Sequence, residues 1–231
     1  MQANMGTQRQ FLRLTGMVSM VVAAVTVAAD ELLQYLPQGY ASLLPWREIA
    51  AWRLFSGNTL GVLAIPLSAI GYWQVCQALK LSGIKRTTWM FWLIAYGAAL
   101  GAAAHGGIAA FIVLLQQGAS LTRALDYLQF YVALPFGAFL LCYLSMSAWY
   151  CFVVLARPTL YPRWMALLNP FLLSLVIELI NMSQVLPALA NVLSPAWLSL
   201  PHLVFFTLST LVLWSPREKR VAATLYAKPN L

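Results

Sequence analysis

Residues 164–186 carry polar side chains that a membrane-spanning helix seldom contains. The stretch is long and apolar enough to cross a bilayer, yet Glu178, Asn181 and Gln184 lie in its second half. An ionisable side chain in hydrocarbon costs about 3 kcal/mol or more, so such residues face the interior of a helix bundle and are candidates for function. Ser174 shares their helical face, because the four residues are three or four positions apart. We predict that this face lines a polar site.

Both histidines of the chain and a pair of acidic residues are expected at similar membrane depth. Asp30 and Glu31 end the first apolar segment, His105 lies beyond the middle of the third, and His202 lies just inside the start of the sixth. Glu178 lies about 21 Å along the fifth segment, at 1.5 Å per residue. If successive segments cross in alternate directions, all these positions fall in the outer half of the membrane. We therefore expect one polar cavity there.

These side-chain types are suited to acid–base chemistry on an apolar substrate. A carboxyl group in a pocket of low dielectric constant holds a transferable proton, and a histidine returns it. We predict Glu178 as the acid and His105 as the base. Three further residues are expected to assist: His202, Asn181 and Glu31. The chain has 11 Phe, 9 Trp and 10 Tyr, which suit a cavity for an isoprenoid, sterol-like or fatty chain and whose π faces would stabilise a cationic intermediate.

Two other chemistries stay open. Two histidines and a glutamate are acceptable zinc or iron ligands, but no HExxH or HxxxH spacing occurs, so metal binding is undetermined and no cofactor is predicted. Alternatively, Glu178 and a histidine could relay protons or bind a cation during transport. The sequence thus favours a small intramembrane isomerase or cyclase. The alternative is a transporter or an accessory subunit for a small solute or proton.

A membrane cavity that combines His, Glu and aromatic side chains resembles, in composition and chemistry, those of the emopamil-binding sterol isomerases and the small integral-membrane terpene cyclases. No motif carries the resemblance to individual residues, and the predicted six-helix layout differs from both. The sequence contains no GxGxxG, Walker or GxSxG motif and no nucleic-acid module, so the expected partners are the lipid bilayer and a lipophilic small molecule. The oligomeric state is undetermined.

Composition indicates an all-α membrane protein with one transmembrane domain over residues 1–231. Of its residues, 61% are hydrophobic and 9% charged, and the mean hydropathy is +0.76, whereas soluble domains have roughly a quarter charged residues. The basic N-terminal stretch runs into an apolar segment too long for a signal peptide, so we expect a retained first helix. Three isolated cysteines fall in apolar stretches and are expected to be buried: Cys76, Cys142 and Cys151.

Six segments approach the length of about 20 residues that a membrane-spanning helix needs. They cover approximately residues 12–33, 58–80, 88–115, 129–156, 164–186 and 197–214. The first outer loop is the longest connection. Within it, residues 46–55 alternate aromatic and charged positions, which predicts one interfacial helix with Trp46, Trp52 and Phe55 at headgroup level.

The distribution of basic residues predicts the orientation. With six crossings, 11 of the 14 basic residues fall on one side: Arg9, Arg13, Lys80, Lys85, Arg86, Arg157, Arg163, Arg217, Lys219, Arg220 and Lys228. Only Arg47, Arg53 and Arg123 fall on the other. The positive-inside rule then places both termini in the cytoplasm and residues 116–127 outside. We expect an inner or plasma membrane location.

Overall fold

The computed structural model describes residues 2–36, 44–183 and 187–214, and all their side chains except those of residues 2–6, 9 and 44. Some residues used in the sequence-based predictions therefore lie outside the described part. They are Gln184, the Arg9 side chain and the basic residues of the C-terminal tail.

The described residues form α-helices joined by short turns. Their bounds are α1 Gln2–Gln34, α2 Ala51–Leu67, α3 Ala69–Leu81, α4 Thr87–Gln116, α5 Leu121–Tyr127, α6 Ala133–Ala156, α7 Pro170–Ser183, α8 Pro187–Leu193 and α9 Ser199–Trp214. Single turns of 3₁₀-helix cover Leu44–Glu48 and Arg163–Ala166, and a π-helical turn, Leu128–Val132, joins α5 to α6.

Within the described residues, four helical stretches are long and apolar enough to cross a membrane. They are Gln10–Gln34, Ala51–Leu81, Thr87–Gln116 and Leu121–Ala156. The protein is thus an all-helical membrane protein. The count of six spans is not confirmed, because the last two predicted segments form helices of only 14 and 16 residues, α7 and α9.

The fifth predicted segment starts later than expected. Residues Arg163–Ala166 form a 3₁₀ turn, and α7 begins only at Pro170. Proline suits the first helical position because it has no N–H group to leave unpaired. Asn169 precedes it as the cap, since its side-chain oxygen accepts a hydrogen bond from the Leu172 N–H at 3.2 Å. The Asn-Pro pair therefore starts the helix instead of interrupting it.

The predicted interfacial helix over residues 46–55 is wrong as a separate element. The chain forms the 3₁₀ turn Leu44–Glu48, passes two extended residues, and enters α2 at Ala51. Trp46 lies edge-on to Phe111 of α4, with ring centroids 5.5 Å apart. Trp52 and Phe55 belong to the first turns of α2 and are 64% and 73% exposed. Packing on α4 holds the first half of this stretch, while α2 incorporates the second half.

Helices α1 and α9 pack against each other in opposite directions. The Arg13 guanidinium lies over the Trp214 ring, 5.9 Å from its centroid, at one end of the bundle. Near the other ends of these two helices, Asp30 and Ser199 line the same cavity. The α3–α4 and α6–α7 connections lie at the Arg13 end, since the Leu160 N–H donates to Ser82 Oγ at 3.0 Å and Gln74 of α3 donates to the Leu12 carbonyl.

The charges of the described residues therefore differ between the two ends. The Arg13 end carries the basic residues of both these connections: Lys80, Lys85, Arg86, Arg157 and Arg163. The opposite end carries Arg47, Arg53 and Arg123. Two of these bind backbone carbonyls: Arg47 that of Ala119, and Arg53 three carbonyls at and just past the end of α1.

The larger of two hydrophobic cores in the described residues is formed mainly by α3, α6 and α9. It contains the fully buried aromatic residues Tyr143, Tyr150, Phe205 and Phe206. A smaller core lies at the opposite end, where Phe111, Ile112 and neighbours of α4 meet the chain around Ile49. Between the two cores the helices enclose the cavity described next.

Candidate functional site

A cavity of about 150 Å³ lies among α1, α3, α4, α6 and the start of α9. Its walls are mostly apolar and include the aromatic residues Phe136, Phe139 and Trp197. Its polar lining residues are Thr26, Asp30, Gln34, Ser68, Tyr72, His105, Ser199 and His202. The two histidines of the chain thus share one cavity with a carboxyl group.

Asp30 of α1 and His105 of α4 form an ion pair in the cavity wall. Asp30 Oδ1 lies 3.2 Å from His105 Nδ1. The other ring nitrogen, His105 Nε2, lies 3.2 Å from the carbonyl oxygen of Gly57 in α2. Both side chains are shielded from solvent, with His105 4% and Asp30 8% exposed. One imidazole therefore joins three helices.

The partners of His105 suit a pair that shares one proton. A carbonyl oxygen only accepts hydrogen bonds, so Nε2 carries a hydrogen when it bonds Gly57. A second proton between Nδ1 and Oδ1 would complete the other contact, because two bare lone pairs repel each other at 3.2 Å. With that proton, on His105 or on Asp30, the pair has no net charge.

Two glycines of α2 allow close packing on different neighbours. A Cβ atom on Gly61 would overlap the His105 ring, and one on Gly57 would come within 2.9 Å of the Ala29 carbonyl oxygen of α1. Small residues allow helices to approach closely. Gly61 therefore leaves room for the imidazole between α2 and α4, and Gly57 lets α1 pack against α2.

His202 of α9 forms a second hydrogen-bonded site in the same cavity. Its Nδ1 lies 2.7 Å from the Leu198 carbonyl oxygen, and its Nε2 lies 2.9 Å from the hydroxyl of Tyr72 in α3. Since Nδ1 must donate to the carbonyl, a neutral His202 has its lone pair on Nε2. This nitrogen accepts a hydrogen bond from the Tyr72 hydroxyl. The Tyr72 oxygen then offers only lone pairs to the cavity.

Aromatic rings enclose His202. Tyr143 stacks on it at 5.0 Å and 14°, and Phe139 stacks on Tyr143 at 5.6 Å and 12°. Phe206 lies at 5.8 Å on another side. The Tyr143 hydroxyl lies 3.3 Å from Ser174 Oγ, so the stack also joins α6 to α7. These rings fix the orientation of the imidazole and present π faces to any positive charge near it.

The structure does not place Glu178 where the sequence suggested. Its carboxylate accepts a hydrogen bond from Asn181 Nδ2 (3.4 Å), one turn along the same helix. Neither residue is among the described residues that line the cavity, and Glu178 forms no hydrogen bond or ion pair with either histidine there. The reason is packing: α7 contacts α6, α8 and α9, whereas His105 is enclosed by α1 and α2. The predicted grouping of Glu178 and Asn181 with His105 is corrected accordingly.

Glu31 also lies outside the cavity lining, and its neighbour Asp30 takes the position expected of it. Successive residues of a helix point about 100° apart, so only one of the two faces α4. Beside Glu31, Arg53 of α2 donates to three carbonyl oxygens at the end of α1, those of Glu31 (3.3 Å), Leu32 (3.1 Å) and Tyr35 (2.8 Å). Arg53 thereby adds hydrogen bonds at a helix end, where carbonyls lack the partners of the helix interior. The Glu31 carbonyl also accepts from the Tyr35 N–H at 3.1 Å.

The sequence signals for Asp30 and Tyr72 were of different strength. Asp30 was one of two adjacent carboxylates predicted near the site, and only packing decides which of them reaches His105. Tyr72 had no signal of its own, because a tyrosine in an apolar segment is common. Among the described residues, no three His, Cys, Asp or Glu side chains group as metal ligands would. Cys76 and Cys142 are buried as expected, whereas Cys151 is half-buried and accepts a hydrogen bond from Asn169.

Comparison with protein-family models finds a match over nearly the whole chain. The model of DUF6796, described as a family of unknown function, matches residues 2–215. No curated protein and no solved structure matches the chain.

Proposed function

We propose, for a chain that belongs to the DUF6796 family of unknown function, that it is a small intramembrane enzyme that moves protons on a lipophilic substrate. The observation that carries the proposal is the cavity, in which two separate proton-holding sites face apolar and aromatic walls. One site is the Asp30–His105 pair, and the other is Tyr72 with His202. A reaction that adds a proton at one carbon and removes one from another can use one such site for each step.

The reaction class that fits is isomerisation or cyclisation of an unsaturated chain. The Asp30–His105 pair gives its shared proton to one carbon of a double bond, forming a C–H bond and leaving a carbocation. The pair then has a net negative charge beside that cation and stabilises it. A neighbouring carbon loses its proton to the Tyr72 oxygen as the Tyr72 proton passes to His202 Nε2, and the electron pair of that C–H bond forms the new double bond. Proton exchange with water restores both sites.

The size of the cavity limits what enters it. An apolar cavity of about 150 Å³ accommodates a benzene-sized ring, whereas sites for whole drug-sized ligands measure about 300–1,000 Å³. The cavity therefore encloses the reacting end of an isoprenoid, sterol-like or fatty substrate, and the remainder lies between helices or in the bilayer. The aromatic side chains around His202 support a reaction with a cationic intermediate.

For topology, we infer six crossings of an inner or plasma membrane with both termini in the cytoplasm. The opposite directions of α1 and α9, and the basic residues at the Arg13 end of the bundle, support this arrangement. Helices α7 and α9 extend about 21 and 24 Å at 1.5 Å per residue, so the bilayer would have to thin locally beside them. The cavity then lies towards the outer half.

A second candidate is a transporter that exchanges a proton for a small cationic solute. It is favoured by one observation, the contact between Asp30 and His105, since a proton shared by these two side chains could leave when a cation binds. Transport also requires access from the second side of the membrane. A substrate that accumulates in proteoliposomes under a pH gradient, without chemical change, would favour this candidate over the enzyme.

Deuterium incorporation tests the enzyme directly. Purified protein is incubated in D₂O with a panel of isoprenoid, sterol and fatty compounds, and mass spectrometry reports deuterium in recovered substrate or product. We expect incorporation with the native protein and a loss of about 10²–10⁴-fold in Asp30→Asn, the loss typical of a missing general acid. The asparagine amide still donates to His105 Nδ1, so folding should persist.

The matched control is Thr15→Val, which alters α1 far from the cavity and should leave incorporation unchanged. If no compound of these three classes gains deuterium with the native protein, the proposed reaction is wrong. Full incorporation in Asp30→Asn would remove the Asp30–His105 pair from the mechanism.

A further inference from the structure

The side-chain hydroxyls around the cavity offer hydrogen-bond acceptors and few donors. Thr26 Oγ1 donates to the Val22 carbonyl at 3.0 Å, and Ser68 Oγ donates to the Ile65 carbonyl at 2.6 Å. Ser199 Oγ donates to the Ala196 carbonyl at 3.5 Å. Each hydroxyl has one hydrogen and directs it to its own helix or turn, so only its lone pairs are left for a ligand.

The ionisable residues of the lining show the same bias. Tyr72 donates to His202, and His202 Nδ1 donates to a backbone carbonyl. His105 uses Nε2 on Gly57 and Nδ1 on Asp30. The second carboxylate oxygen of Asp30 remains as an acceptor. Among the described residues that line the cavity, the other side chains with N–H groups are the Gln34 amide and the Trp197 indole.

An acceptor-rich cavity with aromatic walls and a carboxyl group is complementary to an organic cation. A primary ammonium group has three N–H donors and no acceptor, whereas a hydroxyl donates only once. Phe136, Phe139 and Trp197 supply π faces for the positive charge and contact area for an apolar body. We propose that the cavity binds small apolar primary amines in their ammonium form, and that binding displaces the proton shared by Asp30 and His105.

Charge balance explains the proton release. The Asp30–His105 pair is neutral while it holds its proton, so an incoming cation would add an uncompensated charge to a buried site. If the proton leaves, Asp30 is a carboxylate that balances the cation, and His105 is neutral with hydrogen on Nε2. An ammonium N–H then replaces the lost proton in facing the lone pairs of Oδ1 and Nδ1. The other titratable groups nearby are His202 and Tyr72 across the cavity, and Glu31 and Arg53 at the end of α1. Neither of the last two lines the cavity.

The ligand class does not depend on the proposed reaction, and its test needs no turnover. Benzylamine, protonated at neutral pH, is titrated into detergent-solubilised protein by calorimetry in two buffers that differ in ionisation enthalpy. The difference between the two heats gives the number of protons released. Benzyl alcohol serves as the neutral isostere, and phosphoethanolamine represents the ammonium of a lipid headgroup beside its phosphate.

We expect benzylamine to bind at least about tenfold more tightly than benzyl alcohol, as a hydrogen bond to a charged group implies, with release of about one proton. Phosphoethanolamine should not bind, because its phosphate would face acceptors. Asp30→Asn should reduce benzylamine affinity to that of the alcohol and abolish proton release. Thr26→Val removes one acceptor and keeps the side-chain shape, so it should weaken benzylamine only, while Thr15→Val on the same helix should change nothing.

Equal affinity for benzylamine and benzyl alcohol, binding without proton release, or absence of benzylamine binding would each overturn the proposal. Tighter binding of phosphoethanolamine would replace it with a lipid headgroup site. If Asp30→Asn does not fold, Thr26→Val still tests the proposal, because it removes an acceptor from the cavity and leaves the Asp30–His105 pair intact.

Discussion

Replacing Gly61 with alanine should displace the His105 imidazole from the space that it occupies beside α2. The added Cβ overlaps the imidazole, which is held on one side by Asp30 and on the other by the Gly57 carbonyl. The ring cannot move away without lengthening at least one of these two contacts. Gly61→Ala therefore tests whether the imidazole is held as tightly as the structure indicates.

The magnitude follows from three contributions. Overpacking of a filled site costs about 1–3 kcal/mol, and loss of a buried hydrogen bond to a charged or polar partner costs about 1–3 kcal/mol. Alanine in place of a helical glycine returns about 1 kcal/mol. The sum is a loss of about 1–5 kcal/mol. At about 2–4 °C per kcal/mol for a chain of this size, a loss of about 3 kcal/mol lowers the melting temperature by about 6–12 °C.

Thermal melting in one detergent, with a double-mutant cycle, is the assay. Gly106→Ala is the matched control, because its Cβ would meet Val62 at 3.6 Å, an ordinary contact, and it should melt at or slightly above the native temperature. In a His105→Ala background the overlapping ring is gone, so Gly61→Ala should cost little. If Gly61→Ala lowers the melting temperature equally with and without His105, the imidazole does not occupy the space beside Gly61 and the reasoning is refuted.

Three further predictions follow from the positions of charged residues. Glu178→Gln should keep substrate turnover, because Glu178 lies outside the cavity lining, and full loss of turnover in a folded variant would return it to the mechanism. Arg53→Ala should lower the free energy of unfolding by about 1–3 kcal/mol through the loss of three hydrogen bonds to backbone carbonyls, measured by thermal melting. Exposed Arg123→Ala should stay within about 0.5 kcal/mol. A C-terminal reporter fusion should be active only in the cytoplasm, and activity only outside would contradict six crossings.

Hydrophobic length predicted the long helices well. The predicted segment 88–115 corresponds to α4, Thr87–Gln116, because composition alone identifies an uninterrupted apolar helix. Local chemistry at the ends was harder to read. Pro170 could interrupt a helix or begin one, and the Asn169 cap decides for the second. The stretch around Trp46 looked amphipathic in isolation, but its contact with Phe111 is tertiary.

The sequence predicted which residues line the cavity only where their depth in the membrane was sufficient to decide it. His105 and His202 lie at similar depths in the sequence-based layout, and they do share a cavity. Glu178 lies at a similar depth but on a helix that packs elsewhere, and sequence order does not show which helices are neighbours. Asp30 and Glu31 are adjacent and differ only in the direction in which they point from α1. The sequence does not show which of these two directions faces α4. The cost of burying polar groups identified which residues were candidates for the site. Helix packing, which the sequence does not show, decided which of them line the cavity.

The junction between α2 and α3 has a mechanical consequence. Pro66 has no N–H to bond the preceding turn, so the hydrogen-bond ladder lacks one bond beside Ser68, where the two helices meet. The α2 side supports the first proton site through Gly57, and the α3 side supports the second through Tyr72. Gly57 is eleven residues from Ser68, about 16 Å at 1.5 Å per residue, so a bend of about 10° at the junction moves it by about 3 Å. Bending at this junction would change the distance between the two proton sites. The size of ligand that fits would then depend on the backbone at the junction as well as on the residues of the cavity wall.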